Sequence, residues 1–348
     1  MSSRLYREAI ASAMHDALAS HEHTLIVGQG VTDFKGIFGT TLHLQEEFGD
    51  RLIETPLSED GVAGLCMGAA LNGMYPINTH IRADFGLLIF NQVVNLAAKY
   101  KYMFGGLFSV PMMFRMVIGR SWGQGAQHSQ SLQSLLAHIP GLVVLMPTTP
   151  DSILKSYKYA IAHHDGPVVM LEHRLMYELE FDEDYEYALS HPFGSRIARV
   201  GSEVTIVATS VMVLEARRAA EYLSGIGIEI EIIDLHCVSN PDVELILASV
   251  RKTGKLIVAD TSWAPYGVCA EIIRIVCEND PSILKAPTKS LSMAPSPCPT
   301  AKVLEDFFYP DVHDICSVVF DLVGKPEGHQ LPEKQSMTDF YKHFKGPF

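Results

Sequence analysis

Short apolar runs that alternate with helical stretches limit this chain to very few architectures. Residues 24–27, 75–81, 111–118, 142–146 and 168–172 read as buried strands. Before the first of them, Leu5, Ala9, Ile10, Ala13, Met14, Ala17 and Leu18 fall at three- and four-residue steps, and between them residues 60–72, 84–104 and 150–163 also read as helices. The pattern recurs later, with strands at 204–208, 228–233 and 256–259 and helices near 213–224, 241–252 and 267–278. Strand, helix, strand order brings the chain back to the same sheet edge and makes neighbouring strands parallel. The expected fold class is α/β, with two domains, each a mostly parallel sheet flanked by helices. The expected boundaries are 1–177 for the first domain, 178–190 for an acidic linker rich in Glu and Asp, 191–324 for the second domain and 325–348 for an extension. The extension is polar and ends in Phe340, Tyr341, Phe344 and Phe348; it reads as an arm that packs on a neighbour or as a disordered tail.

Two domains need two cores, and 348 residues with 47% hydrophobic content supply them. A net charge of −13 repels phosphate backbones, which argues against nucleic-acid binding. The six cysteines form no C-x-x-C pair, so they read as reduced thiols of a cytoplasmic protein. No apolar run approaches the roughly 18 residues of a membrane span, and the first residues carry no apolar signal core.

Residues 53–73 concentrate the chemistry. A strand end turns at Ser58-Glu59 into a helix whose Gly64, Gly68, Ala69 and Ala70 leave one face without bulk. Ser58 suits the cap position, and the bare face suits close approach of another backbone. A carboxylate there suggests an acid/base group buried at a contact between chains, although acidic residues also suit a helix start through its dipole. Gly28-Gln29-Gly30 follows the first strand, but Asp33 breaks the G-x-G-x-x-G dinucleotide pattern, which leaves a loop that needs free backbone angles. Residues 119–123, Gly-Arg-Ser-Trp-Gly, fit the G-x-S-x-G elbow of serine hydrolases around Ser121. That motif needs a helix directly after the serine, and glycines follow instead. His128 stands among Gln127, Ser129 and Gln130, neighbours able to orient an imidazole. His163-His164-Asp165 lacks a partner at helical spacing and reads as a helix end rather than a metal site.

Thr55-Pro56-Leu57-Ser58-Glu59, Ala83-Asp84-Phe85 and Gln127-His128-Ser129-Gln130 occur in the order and spacing of one family. Over about residues 5–323 the chain resembles the β subunit of thiamine-diphosphate-dependent 2-oxo acid dehydrogenases (E1β), which includes pyruvate and acetoin dehydrogenase E1. The resemblance implies a transketolase-type pyrimidine-binding domain followed by a transketolase C-terminal domain. It implies thiamine diphosphate and Mg²⁺ as cofactors, with Leu57, Glu59 and Phe85 on the cofactor. Glu59 would act catalytically by hydrogen-bonding the pyrimidine N1′, which promotes the imino tautomer that deprotonates the thiazolium. Phe85 would stack on the aminopyrimidine, and His128 would be the second catalytic residue, assisting the intermediate or the incoming acyl acceptor. Departures from the family are Gln29-Gly30 in place of an acidic pair, Arg82 in place of an apolar residue, Asn91 in place of Asp and His236 in place of Arg. Arg82 would add a positive charge that favours an anionic substrate. An extra residue near His164 means that the family's monovalent-cation site is not carried over.

Metal and diphosphate are held in this family by Gly-Asp-Gly and a later Asn-Asn, and this chain has neither. The implied partner is therefore an α subunit that anchors both, in an α₂β₂ assembly, with a lipoyl carrier (E2) as acyl acceptor. The implied activity is decarboxylation of a 2-oxo acid, pyruvate being the expected one. The same half-site in a carboligase, which passes a two-carbon unit to an aldehyde or ketone, is the alternative. A non-catalytic assembly subunit and a serine hydrolase are the minor ones.

Overall fold

The computed structural model describes residues 3–119, 124–182 and 191–334. Two compact units emerge, one from residues 1–119 and 130–186, the other from 120–129 and 187–348.

The first unit carries β1 (Ser3–Leu5), β2 (Thr24–Gly28), β3 (Leu52–Glu54), β4 (Tyr75–His80), β5 (Met112–Ile118), β6 (Val143–Leu145), β7 (Pro167–His173) and β8 (Glu180–Asp182). Strands β2 to β7 form one sheet in the order β3-β2-β4-β5-β7-β6, and every pairing in it is parallel. Every residue of β4, β5 and β7 is buried, which is why these runs show no polar alternation. The Tyr6–Ser20 helix buries Ala9, Ile10, Ala13, Met14, Ala17 and Leu18, the stripe read from the sequence. β1 and β8 pair antiparallel as a separate ribbon, so the first acidic residues of the expected linker are ordered against the N-terminus. Residues 183–190 of that linker lie outside the described residues.

The second unit holds β9 (Arg196–Arg199), β10 (Val204–Ala208), β11 (Ile230–Asp234), β12 (Leu256–Trp263) and β13 (Lys289–Met293), in the order β13-β12-β10-β11-β9. Only the edge strand β9 runs antiparallel. Helices Val211–Ser224, Val243–Thr253 and Val268–Asn279 connect the parallel strands. Both sheets therefore match the mostly parallel α/β class.

Local expectations needed correction in three places. The stretch expected as one helix over 84–104 changes pitch, through Ala83–Gly86, a 3₁₀ turn at Leu87–Ile89, a π segment at Asn91–Ala97 and Ala98–Met103. Apolar spacing over so few turns does not resolve such changes of pitch. Ser58 holds the cap position of the Glu59–Leu71 helix, yet its side chain makes no capping hydrogen bond. The extension, as far as residue 334, packs on its own unit. Tyr222 donates its hydroxyl to the Gln330 carbonyl, His313 Nδ1 meets the Pro332 carbonyl at 2.8 Å, and Lys334 reaches Asp314 at 3.0 Å. The aromatic end, from 335 on, lies outside the described residues.

Each unit buries a histidine that acid should expose. Burial pulls His80 and His236 down to about 4 from an ordinary 6.5. The folded chain therefore binds fewer protons than the unfolded chain between those values. Stability is expected to be intact above about pH 6.5 and to fall as pH drops towards 4, by roughly 3 kcal/mol for each histidine. Urea midpoints measured between about pH 7 and about pH 5 check this, and a flat profile would contradict neutral imidazoles.

Candidate active site

From β2 the chain steps outward to β3, then crosses to lay β4 on the other side of β2. Such a reversal opens a crevice at the carboxyl ends of the two strands, where α/β sheets bind ligands. Here it forms a small cleft lined by Gln29, Thr55, Glu59, His80 and Phe85 among others. All of its lining residues belong to the first unit. Gly28 lets the strands meet, since a Cβ there would lie 2.3 Å from the Thr79 carbonyl oxygen. Gly30 serves a different need, a φ of +70° that favours glycine.

Glu59 is the first residue of the Glu59–Leu71 helix and is half-buried. The Gln29 amide Nε2 lies 3.4 Å from its Oε1 and 3.4 Å from the Pro56 carbonyl. The loop that carries Gln29 is pinned from β3. Glu54 accepts from the Gly30 N–H at 2.6 Å and from the Thr32 N–H and hydroxyl, each at 3.1 Å. Gln29, a position without an assigned role in the sequence reading, thus sits against the carboxylate that lines the cleft. Its signal was its place directly after the strand next to β4.

His80 also escaped the sequence reading. Asn78 donates its Nδ2 to the Val27 carbonyl at 3.4 Å, which turns its amide oxygen to His80 Nε2 at 3.0 Å. An amide oxygen only accepts, so the imidazole proton resides on Nε2. His80 is neutral at neutral pH because burial lowers its pKa to about 4. A histidine inside an apolar strand gave no signal beyond its residue type.

Phe85 is half-buried and lines the cleft beside Glu59. Its neighbour Asp84 is buried, and Asp84 Oδ1 accepts from the Gln130 backbone N–H at 3.3 Å and side-chain amide at 3.0 Å. Burial raises the Asp84 carboxyl, while Gln130 and Arg82 oppose that rise. Two motifs far apart in sequence are tied together by this contact. Leu57 is 82% exposed and does not line the cleft. His128 is half-buried in the loop before Gln133, within the segment that belongs to the second unit. Arg82 is buried, donates Nη1 to the Gly119 carbonyl at 3.0 Å and does not line the cleft. Ser121 lies outside the described residues. The first helix after it starts at Gln133, too late for a nucleophile elbow.

The small-residue face expected of the Glu59–Leu71 helix is only partly open: Ala70 is buried and a Cβ at Gly64 would meet Gln92, whereas one at Gly61 or Gly68 would meet nothing within 4 Å, and Leu65 between them is 75% exposed. Leu57, Leu87, Leu88 and Tyr102 are exposed on the same unit. Large exposed apolar side chains in such number mark surfaces that other chains cover.

Comparison with known proteins matches residues 2–180 to the transketolase pyrimidine-binding domain and residues 194–315 to the transketolase C-terminal domain. Bovine mitochondrial pyruvate dehydrogenase E1 component subunit beta is 39% identical over 315 residues, 89% of this chain and 88% of that protein. The Rickettsia conorii pyruvate dehydrogenase E1 component subunit beta is 36% identical over 90% of this chain and 96% of its own length. Acetoin:2,6-dichlorophenolindophenol oxidoreductase subunit beta from Cupriavidus necator is 39% identical over 81% of this chain and 83% of that protein. A solved structure described as a split-gene transketolase, inactive beta4 tetramer, superposes with a TM-score of 0.74 at 19% identity, covering 91% of this chain and 97% of its own; at that identity it speaks for the fold alone. With both domains matched and relatives near 39% identity along nine-tenths of its length, the chain belongs to the E1 β-subunit family of the thiamine-diphosphate-dependent 2-oxo acid dehydrogenases.

Proposed function

We propose that this chain is the β half of an E1 that decarboxylates pyruvate and passes the acyl unit to a lipoyl carrier. The observation that supports this most is the pairing of one carboxylate, Glu59, with one aromatic ring, Phe85, in a cleft at the switch point of a parallel sheet. A flat heteroaromatic ring with a basic nitrogen suits that pair, so the residues present fit the aminopyrimidine of thiamine diphosphate. When bound, that cofactor supplies the carbanion chemistry of decarboxylation. Glu59 would share a proton with the pyrimidine N1′, Phe85 would orient the ring, and His128 would handle a proton for the acyl acceptor. Leu57, exposed in the lone chain, would be a further residue holding the cofactor in the assembled enzyme.

Mg²⁺ and diphosphate are assigned to an α subunit. Among the described residues no group of three or more His, Cys, Asp or Glu side chains is placed to hold a metal. The open positions Gly61 and Gly68 and the exposed leucines supply a surface for that partner in an α₂β₂ assembly. Six free cysteines, five of them buried, suit a reducing compartment such as the cytoplasm. Among the described residues, no helix is long and apolar enough to cross a membrane.

The test is reconstitution. The chain copurified with its α-type partner, given thiamine diphosphate, Mg²⁺ and pyruvate, is expected to acylate a lipoyl domain, and either chain alone is expected to be inactive. Acyloin formation without lipoyl acylation would replace this reading by the carboligase. Turnover by this chain alone would contradict the shared site.

A further inference from the structure

On the second unit three large apolar side chains face outward together. Val303, Leu304 and Phe307 are 73%, 60% and 72% exposed. They share one turn: Lys302–Glu305 is helical, and the Phe307 N–H continues it by donating to the Leu304 carbonyl. Side chains three and four apart on such a turn lie on one face. The next two residues, Phe308 and Tyr309, are buried in a cluster with Met293 and Cys298, so the core of this region is filled without the outward three. Beside them, one carboxylate oxygen of Asp306 accepts from Lys302 at 3.3 Å. Its other oxygen is buried and has no hydrogen-bond partner among the described residues.

The extension runs to this patch. Tyr222 holds it at Gln330, His313 holds it at Pro332, and Lys334 pairs with Asp314. Lys334 Nζ, at the end of the described residues, stands 5.8 Å from the centre of the Phe307 ring. The sequence that follows carries a helical pattern with one apolar face. Met337, Phe340, Tyr341 and Phe344 fall at i, i+3, i+4 and i+7, and Ser336 with Asp339 has the spacing of a capping box. Gly346-Pro347 supply the stop signal. Anchors at those four steps are the set by which an amphipathic helix seats on an apolar surface. At helical spacing Lys345 borders the stripe and offers a cation to Asp306. From Lys334 to Met337 the chain can span up to about 10 Å, and the stripe itself is about 10 Å long. The stripe therefore starts within reach of Phe307.

We propose that residues 336–345 are the cover of this patch: an amphipathic helix of the chain's own extension that lays Met337, Phe340, Tyr341 and Phe344 on Val303, Leu304 and Phe307. The second unit then closes this apolar face itself and does not offer it to another chain.

Photocrosslinking of the full chain tests the assignment. Phe307→p-benzoylphenylalanine keeps an aromatic ring at an exposed position, so folding is not at stake. Irradiation followed by peptide mass spectrometry is expected to join residue 307 to the 336–345 segment, in an adduct with the mass of a single chain. The same link is expected after assembly with the α partner. Adding Phe340→Asp and Phe344→Asp is expected to lower its yield roughly tenfold, because charges are poorly held against apolar side chains. Absence of any link to 336–345 would leave the face open and overturn the proposal. An adduct of two copies, or one with the α chain, would give the face to a different occupant and overturn it as well. A yield that the two aspartates leave unchanged would also overturn it, since the contact would not depend on the apolar stripe.

Discussion

Turnover of the assembled enzyme is expected to fall by ~10²–10⁴ when Glu59 is replaced by Gln, the range an acid/base group typically contributes. The substitution keeps the size and reach of the side chain and removes only its ability to take and return a proton. The cleft walls should survive, because Glu59 is half-buried and neither Gly28 nor Phe85 depends on its charge. Loss of rate with folding intact is therefore the expected signature. Asp60→Asn is the matched control. It removes a charge one residue along, on an exposed side chain held by Gln92, and should leave turnover within about twofold. Steady-state rates and melting curves of both variants, taken with the α partner, decide the matter. A Glu59→Gln enzyme as fast as wild type would remove the central acid from the mechanism. Equal losses in both variants would point to damage of the helix start.

The second large effect lies deep in the first sheet. Arg115 on β5 and Glu172 on β7 are both fully buried and bonded at 2.7 Å. Tyr157 and Tyr177 each donate a hydroxyl to the same carboxylate at 2.7 Å. Burial pulls the guanidinium down, but the Glu172 charge outweighs it and holds Arg115 protonated. Burial and then the same carboxylate push Tyr157 and Tyr177 above the ordinary range, so both keep their protons. Arg115→Met strands a carboxylate in the core, and breaking a buried pair from one side costs about 3–5 kcal/mol. The melting temperature is expected to drop on the order of 10 °C. Adding Glu172→Gln removes the stranded charge while an amide oxygen still accepts from a tyrosine, so the double variant should recover most of the loss. Thermal melts of the two variants measure this. An Arg115→Met protein that melts with the wild type would show the pair to be dispensable.

Much of the fold was legible because apolar periodicity reports burial directly. The runs that became β4, β5, β7, β10 and β12 are buried along nearly their whole length, and a run buried on both faces has few readings other than a parallel-sheet strand. β9 and β13 were missed for the converse reason. They are edge strands, short, with burial only at alternate positions. The pitch changes over 83–103 were missed because helical, 3₁₀ and π turns share one composition.

At the site, Glu59 and Phe85 were named through the family resemblance that the motifs Thr55-Pro56-Leu57-Ser58-Glu59 and Ala83-Asp84-Phe85 carry, and such motifs are local features of the chain. Gln29, His80 and Asp84 gained their significance from partners 30, 2 and 46 residues away. Arg82, expected to add a charge near the site, is buried and donates to the Gly119 carbonyl, 37 residues on, a partner that no local pattern shows.

The order of apolar runs determined by itself that this chain builds parallel sheets, since hydrophobic burial and strand crossover act on local pattern. Which side chains share the crevice between β2 and β4, and which charges are spent before a ligand arrives, was decided only by the tertiary structure. Hydrogen bonds and desolvation depend on distance in space, and strand order, not chain order, sets those distances.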